Sequence, residues 1–137
     1  MKLVYTILLF SLLICCKANQ ETTSAYCFKG DSYAPLGHIY TLSKIEITAD
    51  TTFIIADFLY SSRKNRKKNN HDRVEYFSGT VQHKNDTIKC IVTLPEQFAG
   101  REFIFYPVGG KLFLLDNNRM ALQKWRRCDS GSPELTK

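Results

Sequence analysis

The chain is poor in the groupings that mark hydrolases and metalloproteins. Of its 137 residues only three are histidines, His38, His71 and His83, and none has the i, i+4 partner through which a helix offers two imidazoles to one metal ion. Five cysteines are present, but no C-x-x-C, which excludes a zinc knuckle and a thioredoxin-like redox motif. No G-x-S-x-G surrounds Ser61, Ser62 or Ser78, so the nucleophile elbow of acyl hydrolases is missing. Asp57, set inside an apolar run, and Glu46 are the two acids a hydrolytic pair would draw on, yet nothing in their spacing brings them to the separation that work requires. No catalytic residue, metal ligand or cofactor is therefore expected, and the chain reads as a non-enzyme. Beyond residue 14 no apolar stretch approaches the roughly 20 residues of a membrane-spanning helix, and none sustains a helical period.

What is present is a succession of short runs rich in β-branched and aromatic residues, separated by turn formers. Seven strands are expected, at Ile39–Thr48, Phe53–Tyr60, Val74–His83, Thr87–Leu94, Glu102–Pro107, Leu112–Leu115 and Met120–Trp125. Ala49-Asp50-Thr51, Lys84-Asn85-Asp86, Gly109-Gly110 and Asp116-Asn117-Asn118 supply tight turns between them. Short loops make sequential strands antiparallel neighbours. The predicted fold is all-β: a single small antiparallel meander of about seven strands, closed or nearly closed into a barrel because closure hides the edges. Ile88, Cys90, Val92 and Leu94 are expected on one face of their strand, and Phe53, Ile55 and Leu59 on one face of theirs. The barrel interior is expected to be packed with side chains, with carriage of a small apolar ligand or lipid as the alternative.

The chain opens with one lysine and the uncharged apolar run from Leu3 to Ile14, a signal-peptide pattern. Leu13-Ile14-Cys15-Cys16 resembles the bacterial lipobox, with Cys15 where Gly, Ala or Ser is usual. The resemblance implies cleavage before Cys16 and lipid on its sulfur and new amine. Multiple acyl chains, each adding about 0.8 kcal/mol per buried methylene, make such an anchor stable. The alternative is a secreted soluble protein cut after Ala18. The expected organisation is a signal peptide at 1–15, a lipidated N-terminus and flexible tether at 16–25, a β-barrel domain at 26–128 and a disordered tail at 129–137. With Cys16 lipidated, Cys27, Cys90 and Cys128 cannot all pair within one chain. A Cys27–Cys128 bridge would tie the ends of the domain together and leave Cys90 a small buried apolar residue, although spacing alone leaves other pairings open.

Lys and Arg outnumber Asp and Glu by 19 to 13, and the excess is concentrated between β-like runs. Arg63, Lys64, Arg66, Lys67, Lys68 and Arg73 fall within thirteen residues, 61–73, that hold a single acid. A solvated, mobile loop is expected there, able to meet anionic lipid headgroups or another envelope protein. It has no interleaved aromatics on which bases would stack, so nucleic acid is not an expected partner. Asn85-Asp86-Thr87 is an N-x-T acceptor, and Thr51 and Thr87 follow aspartates as in the O-glycosylation acceptors of some bacterial envelopes.

Ile45 to Phe53, Tyr76-Phe77-Ser78-Gly79-Thr80-Val81, Asn85-Asp86-Thr87-Ile88 and Gly109-Gly110-Lys111-Leu112 resemble the recurrent phrases of lipocalin-like and copper-resistance-lipoprotein-like β-barrel domains of bacterial envelopes. That resemblance, which covers most of the folded unit, implies an envelope lipoprotein, on the outer membrane rather than the inner. The C-x-x-C of the copper-resistance group is lacking.

Overall fold

The computed structural model describes residues 23–35, 37–115, 121–129 and 131–135. Eight antiparallel strands follow one another around a closed barrel, with β8 returning to pair with β1. They are β1 (Thr23–Ala34), β2 (Gly37–Thr48), β3 (Thr52–Tyr60), β4 (Arg73–Lys84), β5 (Thr87–Leu94), β6 (Glu102–Val108), β7 (Lys111–Leu115) and β8 (Ala121–Arg127). A five-residue helix, α1 (Arg63–Lys67), lies between β3 and β4, and a 3-10 turn, Glu96–Phe98, between β5 and β6. The meander and its closure are as the sequence predicts, with one strand more. That strand, β1, begins inside the segment read as tether and pairs with β2 over its whole length, from Thr23↔Thr48 to Ala34↔Gly37.

Turn chemistry fixes the hairpins. Gly109 and Gly110, at φ 56° and 72°, supply the two positive-φ positions of a β6–β7 turn whose twist matches the flanking strands. Asn85 takes φ 53° between β4 and β5, a conformation its short polar side chain tolerates. Gly79 answers a different need: a Cβ there would run into the Ile91 carbonyl, next to the Phe53 ring. The β4–β5 register shifts between Ser78 and Gly79, so that Ser78 faces Leu94 while Gly79 faces Val92. That extra residue turns Leu94 off the inward face, leaving it 57% exposed, where strict alternation placed it beside Val92.

The barrel encloses one apolar cluster drawn from every strand. Tyr26, Ile45, Ile47, Phe53, Ile55, Phe77, Cys90, Val92, Phe105, Leu112 and Trp125 are all buried in it, with Phe28 and Phe103 packed against them. Ring centroids of Phe28 and Phe105 lie 5.8 and 5.6 Å from that of Trp125, spacings at which aromatic quadrupoles attract.

A second cluster lies outside. Leu42, Ala56, Phe58 and Tyr60 are buried on the outer faces of β2 and β3, with Cys27, Tyr40, Val74 and Leu135 against them. The strand β3 is thus covered on both faces, which is why Thr52–Tyr60 reads as a nearly continuous apolar run. Its outer cover comes from residues 69–71 and from the C-terminal segment.

Because neighbouring strands run in opposite directions, the barrel has two distinct ends. One carries the start of β1 and the turns at 49–51, 85–86 and 109–110; the other carries α1 and the 3-10 turn. These are called the entry end and the helix end.

Candidate functional site

The basic segment 61–73 is not the mobile loop expected of it. Ser62 caps α1 by accepting a hydrogen bond from Asn65 N at 3.1 Å, and Asp72 accepts from Ser61 N at 2.6 Å. Lys64, Arg66 and Lys67 sit in the last turn of the helix, where its dipole favours positive charge. Arg66 then pins the helix to the barrel, its Nη1 donating to Gly30 O at 2.9 Å, Thr41 O at 3.2 Å and Asp31 Oδ1 at 2.8 Å. Arg63 reaches the other oxygen of Asp31 at 3.4 Å, and both guanidiniums stand over the Tyr40 ring, at 5.6 and 5.4 Å. Tyr60 donates its hydroxyl to Asn69 Oδ1 at 3.0 Å, and His71 sets its ring edgewise to Phe58 and Tyr60.

The physical reason for the difference is Asp31. It lies on β1, the strand not foreseen, about one barrel edge away in space but more than thirty residues away in sequence. Desolvation alone would raise its carboxyl, but the hydrogen bonds and charges of Arg66 and Arg63 outweigh that and hold it below its ordinary value. Arg73 pairs with Glu75 at 2.7 Å. Of the six cations expected to face an anionic surface, Lys64, Lys67 and Lys68 are therefore the ones left exposed without an ion pair among the described residues.

At the helix end the barrel mouth is polar. Asp57 points inward opposite Ser43 and Glu75, its register partners on β2 and β4. Burial pushes its carboxyl up, the Glu75 charge adds to this, and the Ser43 hydroxyl and the Arg101 cation oppose it. Glu46, the other acid considered, lies on the opposite face of the sheet, 2.8 Å from Lys44 Nζ; strand alternation separates the two. Beside the mouth an open cleft of about 250 Å³ is walled by Tyr76, Phe77, Pro95 and Phe98, with Arg73 and Glu75 on its rim. Arg101 covers the rings of Phe77 and Phe103 at 5.9 and 5.0 Å. Glu75, Arg101 and the cleft were invisible in the sequence, since only the register brings them together. A buried carboxyl raised above its ordinary value stands here, but no histidine joins it: His38 stacks on Tyr40, His71 packs on the outer cluster and His83 lies at the entry end, 3.2 Å from Asp50 O.

The seam between β1 and β8 holds the disulfide. Register pairing there is limited to Tyr26↔Arg127 and Cys27↔Arg126, and Cys27 is bonded to Cys128, with Cα atoms 4.9 Å apart. Cys90 is free and fully buried, and burial pushes its thiol up to about 12. Of the residues after Cys128, expected to form a disordered tail, the described residues 131–135 instead lie along the outside of the barrel. Pro133 is buried and accepts a hydrogen bond from Lys44 Nζ at 2.9 Å; Leu135 joins the outer cluster, and Ser132 Oγ lies 3.5 Å from Cys27 Sγ. The segment is polar except for these few residues, so its composition hid the contact.

Of the modification candidates, Asn85 and Thr51 are exposed in entry-end turns, whereas the half-buried Thr87 donates its hydroxyl to Lys84 O at 2.8 Å. Cys16 lies outside the described residues. Comparison of the chain with protein-family models, with curated proteins and with solved structures returned no match in any of the three.

Proposed function

We propose that this protein is a non-enzymatic envelope lipoprotein, exported and held to a membrane, the outer one in a two-membrane envelope, by lipid on Cys16, and that its barrel presents outer surfaces to another envelope protein. The observation that carries the second half is the filled interior. Ile45, Cys90 and Phe105 are at 0% exposure, and Trp125 at 3%, at the centre of a cluster to which every strand contributes. An eight-strand barrel has room either for its own side chains or for one small ligand, and here the side chains occupy it. Eight strands in up-and-down order are compatible with the lipocalin-like resemblance, while the packing favours an interaction module over a carrier.

The position of α1 favours one kind of partner over another. Six residues, 17–22, separate Cys16 from β1, and the steps from Cys16 to Thr23 reach at most about 25 Å. The strand β1 starts at the entry end, and the longest strands, β1, β2 and β4 at twelve residues each, tilted as barrel strands are, span about 30 Å of the barrel's height. A lipid on Cys16 would therefore hold the entry end toward its bilayer and direct Lys64, Lys67 and Lys68 away from it. On this reading these lysines meet an acidic protein surface rather than the headgroups of the anchoring membrane.

Native mass spectrometry after mild detergent extraction tests the choice. The expected spectrum is the chain with its covalent lipid and nothing further. A second, non-covalently retained lipid-sized mass would establish carriage instead. In parallel, Cys16→Ser should move the protein from the membrane to the soluble fraction, and unchanged membrane association would contradict the anchor.

A further inference from the structure

The β6–β7 hairpin reaches past its neighbours at the entry end. Pairing of β6 with β5 ends at Phe105↔Ile88, and pairing of β7 with β8 ends at Leu112↔Trp125. Beyond those rungs the hairpin continues on its own ladder, through Pro107↔Leu112 and Val108↔Lys111. Every residue from Tyr106 to Lys111 is exposed, Tyr106 at 40% and Val108 at 48%, and a Cβ on Gly109 or Gly110 would meet nothing within 4 Å. Strand alternation puts Tyr106 and Val108 on the outward face of β6, opposite Phe113 and Lys111 on β7.

Composition sets this tip apart from the other turns of the same end. Ala49-Asp50-Thr51 and Lys84-Asn85-Asp86 each carry an acid, whereas Tyr106-Pro107-Val108-Gly109-Gly110-Lys111 carries none and joins an aromatic ring, two apolar residues and one cation. A tyrosine suits the boundary between headgroups and acyl chains, its ring apolar and its hydroxyl wet. A lysine beside it leads its ammonium back to the headgroup phosphates along its own methylenes. The occupant follows from where the chain is held. Six residues separate Cys16 from β1, and β1 starts at this end, so a lipid on Cys16 turns the tip toward the anchoring bilayer. We infer that the β6–β7 tip is a membrane-docking element: Tyr106, Pro107 and Val108 enter the interface of that bilayer and fix which way the barrel stands on it. The inference rests on the lipid anchor proposed above and adds a second contact to it, since an acyl anchor sets the distance of the domain from the membrane but not its orientation.

The test uses the mature lipidated protein in phosphatidylcholine vesicles, with and without a doxyl quencher on the acyl chains near the headgroups. Cys27 and Cys128 are bonded to each other and Cys90 is buried, so the thiol introduced by Val108→Cys is the one that takes an environment-sensitive dye. A docked tip lies about 5–10 Å into the headgroup boundary, and the quencher should lower the dye's emission at least about twofold. The same dye on Lys64→Cys, at the helix end, should keep its emission. Adding Tyr106→Asp to Val108→Cys should return the dye to water while the lipid still holds the protein on the vesicles. Thermal unfolding establishes that each variant is folded. A protein that floats with the vesicles but whose dye at position 108 ignores the quencher overturns the inference and leaves the anchor standing. Quenching that is equal at positions 64 and 108, or that survives Tyr106→Asp, overturns it as well. A protein that does not float with the vesicles overturns the anchor, and the inference with it.

Discussion

Replacing Cys27 and Cys128 together by alanine isolates the role of the seam. The bridge closes a loop spanning a sequence separation of 101, and loop-closure entropy for about 100 residues is worth about 4.7 kcal/mol through the unfolded chain. The native side of the balance adds little, because Cys27 is only half-buried at the edge of the outer cluster. For a domain of this size each kcal/mol moves the midpoint by about 4 °C, so the variant should melt about 20 °C below the parent. A phosphine reductant should bring the parent to the same point while leaving the variant unchanged. The loss should also be located. With two register pairs and a 3.4 Å bond from Cys128 N to Ala25 O remaining at the seam, amide exchange should accelerate first in β1 and β8 and last in β3 and β4. A cost below about 1 kcal/mol, or protection lost evenly around the barrel, would refute the view that the bridge closes it.

Other positions give independent checks. Arg66→Ala strips two backbone carbonyls and Asp31 of a donor that is 16% exposed; urea unfolding should report a loss of about 2–3 kcal/mol, and Arg66→Lys, which keeps the charge without the fork, about 1 kcal/mol. Asp57→Asn should stabilise at neutral pH, because burial raises the folded-state carboxyl above its unfolded value. The native domain then has its full stability below the unfolded pKa and loses part of it as pH rises through the folded one. The variant's advantage should accordingly vanish in acid, and an advantage that grew on acidification would reverse the argument. Gly79→Ala forces a methyl group against the Ile91 carbonyl, and a drop of about 2–4 kcal/mol is expected, read as an earlier urea midpoint with an unchanged slope.

Seven of the eight strands announce themselves because their turns carry positive-φ chemistry and their runs are apolar, as in Thr87–Leu94 between Asn85-Asp86 and the 3-10 turn. The strand β1 does not, since Thr23–Ala34 mixes Lys29, Gly30, Asp31 and Ser32 with a few inward aromatics. Its place depends on pairing with β2 rather than on its own pattern. Losing β1 concealed Asp31, and with it the reason why the basic segment folds down. The outer cluster was hidden in the same way: an apolar β3 is visible, but the segment that helps cover it, 131–135, is polar in composition and meets it through Leu135. Leu94 shows the remaining kind of failure, in which one bulged residue reverses a face that alternation had assigned correctly up to Val92. Cys90, by contrast, needed no geometry: an apolar strand around a lone thiol already implied burial.

The proposal as a whole turns on how the N-terminus is processed, and one number reports it: the intact mass of the mature protein isolated from its own membranes. The account predicts a chain beginning at Cys16 that carries a diacylglyceryl group and a further acyl chain. An unmodified chain beginning at Asn19 would contradict it, and would leave the barrel a secreted protein free to turn either end to its surroundings.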